Sequence, residues 1–275
     1  MNAMLPNFYR PGPPLDQFVD CLWYLPSYSV EHVRERALPT GTTELVFNLG
    51  AEAMRIFNDE QDEFGRQFER SVVCGPHSRY FVLDTSQAGH VLGVHFRAGG
   101  GFPFFPGAAH ELSDRTVALE DLWGGRAHEL HERLLTDASS PNQMFRILEE
   151  TLRSCLVRPC RHHPAVDYAI RELLTSPHIL TIRKLEIETG YSPKHFIQLF
   201  SESVGLTPKV FSRIQRFQAV LTRKTRGDHV DWSDVAVANG YYDQSHLNRE
   251  FRVFSGVTPT QYEPVSQQRP NHLPV

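Results

Sequence analysis

Four histidines, His77, His90, His95 and His110, fall in or near runs of strand-forming residues, and imidazoles gathered on strands are a common way to hold a transition metal. The usual arrangement on such strands is two histidines one residue apart with a glutamate downstream. Here "GHVLGVHF" sets His90 and His95 five apart, so no metal is expected. Cys155, Cys160, His162 and His163 form a second cluster of ligand types. Its cysteines are spaced more widely than a zinc knuckle, and Cys155 sits on an apolar helical face. The run Gly99-Gly100-Gly101 lacks the Lys-Ser/Thr of a phosphate loop and reads as a corner after a strand. Neither a Ser/His/Asp set nor paired carboxylates stand out. Phe96, Phe102, Phe104 and Phe105, with Trp23 and Tyr24, read as barrel core and interface rather than as the lining of an effector pocket. No catalytic residue and no cofactor is expected.

A different chemistry is written twice. "GYSPKHFIQLF" begins at Gly190, and "GYYDQSHLNREF" begins at Gly240. Phe196, Phe200, Gly205, Thr207, Pro208 and Phe211 match Leu247, Phe251, Gly256, Thr258, Pro259 and Tyr262, each pair 51 positions apart. Upstream, Leu185, Ile187 and Gly190 match Val235, Val237 and Gly240 at a separation of 50, so the second turn is one residue longer. One folding unit is used twice.

Each unit has the parts of a helix-turn-helix. In the first, Thr181 is placed to cap a short helix that holds Leu185 and Ile187 inward, and Gly190 makes the turn. Ser192 then caps a second helix with Pro193 at its first position, where a missing N–H costs nothing. Asp231, Gly240 and Asp243 repeat the pattern. On a helical wheel Phe196, Leu199 and Phe200 share one side, while Lys194, Gln198 and Ser201 share the other with Ile197 on the flank. In the second copy Leu247 and Phe251 point inward; Ser245, Arg249 and Arg252 point out, and Asn248 flanks them. These outward residues are of types that reach base edges or phosphates in a major groove. A connecting helix, "FSRIQRFQAVLTRKTRG", with Ile214, Phe217 and Leu221 inward, makes the pair a rigid bipartite reader.

Net charge agrees in its distribution rather than in its total of −4. Residues 1–160 hold 14 arginines and no lysine against 21 acidic residues, a net of −7; residues 161–275 hold 14 basic against 11 acidic residues, a net of +3. The C-terminal part is the one suited to a polyanion.

At 275 residues the chain suits two domains. The expected fold class is α+β. A β-barrel-like N-terminal domain with helices spans 1–157 (β-rich over 20–106, helical over 108–157), and an all-α domain spans 166–263. Residues 158–165 read as the linker, and the proline-rich, polar residues 264–275 as a disordered tail. The first residues carry no secretory pattern, the cysteines no disulfide framework, and no apolar run approaches the roughly 20 residues of a membrane span, so a cytoplasmic protein without a membrane partner is expected.

The stretches "LEIETGYSPKHFIQLFSESVGLTPKVFSRIQRFQAVL" and "DVAVANGYYDQSHLNREFRVFSGVTPTQY" resemble the tandem helix-turn-helix DNA-binding domain of AraC/XylS-type transcriptional regulators. Ala236, Gly240, Asp243, Ser245, His246, Phe251, Gly256 and Pro259 stand at the positions of the family's signature. The resemblance implies two recognition helices in successive major grooves on one face of double-stranded DNA. By motif position Lys194, Ile197 and Gln198 are the first base reader, and Gln244, Ser245, Asn248 and Arg249 the second. Lys209, Arg213, Arg216 and Arg252 are the expected phosphate contacts. Where the family usually has a small alanine this chain has Glu186, at a position where helices cross closely; a glutamate there must bend outward or hold them apart. "LPTGTTELVFNLG", "CGPHSRYF" and "GVHFRAGGGFPFFPGAAHELSDRTVALEDLWG" resemble the cupin-like sensor domains of such regulators. That implies control by an unknown small-molecule effector or a partner, helices that pair two copies as a homodimer, and RNA polymerase as a further partner. The alternative reading is a cupin-like metal-dependent enzyme with a helical appendage.

Overall fold

The structure, a computed structural model, describes residues 6–26, 32–86, 89–156, 162–177, 182–225 and 231–275; the side chains of Ile182, Glu186 and Thr225 are also outside the description. Thr181, Cys160, the first half of the expected linker and the side chain of Glu186 therefore lie outside the described residues.

The N-terminal strands are β1 (Asn7–Tyr9), β2 (Val19–Leu25), β3 (Arg34–Ala37), β4 (Glu44–Asn48), β5 (Met54–Phe57), β6 (Arg66–Phe68), β7 (Ser71–Cys74), β8 (Phe81–Asp84), β9 (Val91–Phe96) and β10 (Thr116–Ala118). Helices α1 (Leu119–Trp123), α2 (Gly125–Thr136) and α3 (Pro141–Cys155) follow. The strands form two antiparallel sheets, one in the order β1-β2-β9-β4-β7-β10 and the other containing β3-β8-β5-β6.

Side chains alternate across the first sheet, as a pleated strand requires. Leu22, Tyr24, Leu45, Phe47, Val73, Leu92, Val94 and Phe96 face α2 and α3 and form a core with Leu130, Leu134, Phe145, Leu148 and Leu152. Their neighbours Cys21, Trp23, Glu44, Val46, Cys74, Val91 and His95 face the other way, into a cavity between the sheets. Phe104, Phe105 and Tyr24 belong to the helix-side core as expected, whereas Trp23 lines the cavity.

The C-terminal helices are α4 (Pro164–Thr175), α5 (Ile182–Thr189), α6 (Pro193–Val204), α7 (Pro208–Thr225), α8 (Trp232–Ala238) and α9 (Gln244–Ser255). Helix α4 begins inside the expected linker because His163 caps it, its ring accepting from the Ala165 N–H at 3.2 Å, with Pro164 at the first position. A second core joins these helices through Phe196, Phe200, Phe211, Phe217, Leu247, Phe251 and Phe254. Leu38 and Ala98 of the N-terminal part are buried in this same core.

The last residues are not a disordered tail. Strand β11 (His272–Pro274) pairs antiparallel with β3 and completes the second sheet as β11-β3-β8-β5-β6. Leu273 is 2% exposed, the Leu38 N–H donates to Asn271 O at 2.8 Å, and the Tyr262 hydroxyl donates to Pro270 O at 2.6 Å. Proline and polar content foretold disorder; one apolar side chain and an open strand edge were enough to order the segment.

Candidate nucleic-acid interface

The two repeats fold alike. Gly190 and Gly240 both take φ of 73°, the left-handed turn that glycine adopts without strain. The Ser192 side chain accepts from the His195 N–H at 3.4 Å, and the Asp243 side chain from the His246 N–H at 2.7 Å, so both recognition helices start on the caps expected. Asp231 caps α8 through the Ser233 N–H at 2.8 Å. Both recognition helices end on a left-handed glycine, Gly205 and Gly256.

One inward assignment, that of Ile187, fails. Leu185 is fully buried, but Ile187 is 72% exposed and its counterpart Val237 68% exposed. Residues two apart on a helix lie 200° apart, so burying Leu185 turns Ile187 outward.

Of the residues expected to read bases, Lys194, Ile197 and Gln198 on α6 are exposed together, as are Gln244, Ser245 and Arg249 on α9, with Asn248 half-buried beside them. Two already have partners. Gln198 donates to Glu202 at 2.9 Å, and Ser233 of α8 donates to Gln244 Oε1 at 3.2 Å, fixing the first residue of α9. Ser201 turns away, its hydroxyl donating to Leu206 O at 3.3 Å.

The expected phosphate contacts divide. Lys209 and Arg252 are exposed and, like Lys194 and Arg249, have no ion-pair partner among the described residues. Arg213 and Arg216 point elsewhere. Arg213 Nε donates to Glu250 Oε1 at 2.6 Å, and Arg216 Nη2 to Glu250 Oε2 at 3.2 Å, while Arg216 Nη1 donates to Gly240 O at 3.1 Å. Arg213 also lies over Phe254, and Arg216 over Tyr241. Both arginines flank buried Val220 on the wheel of α7, and that places them against α9 rather than toward solvent. The sequence reading missed Glu250, although its position three residues after Leu247 puts it on the inward side of α9.

The ligand-type clusters resolve into separate pairs. Tyr24 and His90 share a hydrogen bond of 2.7 Å, as do His95 and Glu44. His162 bridges Asp167 and Gly99 O, both at 2.9 Å, and Cys155 is buried with Arg126 Nη1 at 3.3 Å. Among the described residues no three His, Cys, Asp or Glu side chains are gathered as a metal-holding group. No helix of the described residues is long and apolar enough to cross a membrane.

Two families match the chain. Residues 7–118 match a domain of unknown function (DUF6597), and residues 185–264 match a helix-turn-helix domain. A comparison with curated proteins finds no match. Among solved structures, the C-terminal domain of AraT, a response regulator from Geobacillus stearothermophilus, is 20% identical, with 37% of this chain and 85% of that chain covered and a TM-score of 0.34. ToxT from Vibrio cholerae is 8% identical over 88% of this chain and 96% of that one, with a TM-score of 0.46. The unsaturated fatty acid bound form of ToxT is 10% identical over 88% and 92%, with a TM-score of 0.47. Likenesses this distant carry no functional argument. The family match, the duplicated unit and its two exposed polar helix faces do: residues 185–264 are an AraC-type helix-turn-helix domain, and the chain is a DNA-binding transcription regulator.

Proposed function

We propose that the protein reads a specific duplex sequence with α6 and α9, placed in successive major grooves, and that its N-terminal domain controls this reading in response to a small molecule. The observation that carries the first half is the pair of exposed faces, Lys194, Ile197 and Gln198 on one helix and Gln244, Ser245 and Arg249 on the other, each on a capped helix behind a glycine turn of the same φ. Lys209 and Arg252 supply the sequence-independent grip on phosphate. Support for the second half is a cavity of about 620 Å³ between the sheets, within the size range of small-molecule sites.

The same reading divides the chain into a regulatory part before the 158–165 segment and a DNA-binding part after it, and sets the protein in the cytoplasm. A second copy meeting α2 and α3, where Leu135 is 49% exposed, and RNA polymerase are the protein partners proposed. Selection of duplexes from a random pool with the purified chain tests the reading. Enrichment of one bipartite sequence supports it, and an unenriched pool at moderate salt contradicts it.

A further inference from the structure

The cavity has a distinct floor. Trp23 of β2 stands opposite Gly93 of β9, and a Cβ on Gly93 would meet the indole at 2.2 Å. The indole therefore packs directly against the glycine, and it also lines the cavity. Two residues further along β9, His95 Nδ1 stands 2.7 Å from Glu44 Oε1 of the neighbouring β4. Burial opposes the charge on Glu44, but the His95 hydrogen bond and the charges of His95, His272 and Arg269 outweigh it and hold the carboxyl below its usual range. Burial likewise opposes charge on His95, and Glu44 outweighs it and raises the imidazole. Each partner thus favours the charged form of the other.

The far wall comes from the other end of the chain. Gln268 to His272, the segment that runs into β11, line the cavity. Glu35 on β3, fully buried, holds this strap through Arg269 Nη2 at 3.1 Å and His272 Nδ1 at 3.0 Å. On its outer side the strap meets the helix that joins the two DNA readers. Gln218 of α7 donates to Asn271 Oδ1 at 2.9 Å and to Pro39 O at 2.8 Å, and Gln215 donates to Thr40 O at 2.9 Å.

We propose that the cavity binds a flat, uncharged, amphipathic molecule stacked on Trp23 and hydrogen-bonded at the Glu44–His95 pair, and that the C-terminal strap transmits its presence to α7. This rests on the effector reading above and specifies its ligand and its route. The flat indole selects a planar partner. Around the Glu44–His95 pair the charges favour a neutral group, because Glu44 is matched by His95 and Glu35 by Arg269, so a ligand charge set there gains no counter-ion. A ligand touching the strap binds its docked state better than its detached state, and that difference is the free energy available to shift α7.

Naphthol, naphthoate and naphthylmethylammonium share one ring system and differ in charge, so calorimetric titration of the full chain with each tests the class. Naphthol binds with one site per chain, and each charged analogue binds about tenfold more weakly or worse. Trp23→Leu weakens naphthol by about tenfold. If that variant does not fold by circular dichroism, Val46→Trp, which fills the cavity from β4, takes its place and abolishes binding. Hydrogen exchange of residues 264–275 slows when naphthol is bound. A charged analogue binding more tightly overturns the neutral class. Unchanged affinity in the cavity variants overturns the site, and unchanged exchange in the strap overturns the route. DNA retardation with the same preparation separates the readings: retardation without naphthol binding sinks only this inference, and naphthol binding without retardation sinks the DNA-reading function.

Discussion

Arg213 on the connecting helix and Glu250 on the second recognition helix stand 2.6 Å apart, and Arg216 closes on the other carboxylate oxygen at 3.2 Å. Glu250 is 5% exposed, so the clamp is a structural joint that sets the angle between α7 and α9. Removing the carboxylate leaves two guanidinium groups facing each other in a mostly dry contact. Glu250→Ala should therefore lower the stability of the helical domain by about 3 kcal/mol, read by chemical denaturation. A loss below about 0.5 kcal/mol would place the pair among weak surface bridges.

Arg252 and Arg213 should behave differently toward DNA, although both are arginines on the basic half of the chain. Arg252 is exposed and unpaired among the described residues, so Arg252→Ala should weaken binding to all sequences alike and lower the slope of log affinity against log salt by about one unit. Arg213→Ala should leave that slope unchanged and reduce affinity only as far as it loosens α9. Equal slopes for the two variants would return Arg213 to the phosphate contacts.

Detaching the helical domain should cost stability. Leu38 and Ala98 lie in its core, and among the described residues β11 pairs only with β3. A fragment of residues 162–275 should fold as helix yet melt several degrees below the same helices in the full chain, because it loses the burial of one leucine side chain, worth about 2 kcal/mol. Equal melting temperatures would show that the two halves do not stabilise each other.

His77 gives a pH dependence with a defined sign. Burial depresses its pKa from 6.5 to about 4, with Asp114 opposing and Arg79 adding to the effect. The unfolded chain then binds a proton that the folded one refuses, so this contribution is complete above pH 6.5 and is lost as the pH falls toward 4. The loss over that window is roughly 3 kcal/mol. His77→Gln should flatten the acid limb of a stability profile by a comparable amount, and an unaltered limb would mean that His77 is protonated in the folded chain.

The recognition helices were legible because a helix announces its caps, its turn glycine and its inward face within a dozen residues, and the chain states all three twice. Long-range partners were less so. Glu250 looked like any acidic residue beside an arginine until α7 supplied the two cations, and Ile187 was misplaced by counting apolar residues rather than angles. The strap was misread for a related reason. Its order depends on the free edge of β3, more than 230 positions away, and local composition carries no trace of that edge. The cavity followed the same logic: strand alternation was visible, but only the sheet register brings Trp23 over Gly93 and Glu44 beside His95.

Footprinting of a selected duplex, with the original chain and with Arg249→Ala, tests the reading of DNA most directly. Arg249 is exposed on the outward face of α9, and arginine is the usual bidentate partner of guanine. The original chain should protect two blocks centred about 10 base pairs apart on one DNA face. Arg249→Ala should cost about 1–3 kcal/mol and relax the preference at one position of one block, leaving the other block intact. Protection without sequence preference, blocks at a half-turn spacing, or a variant that weakens every sequence equally would contradict the assignment of α6 and α9 as base readers.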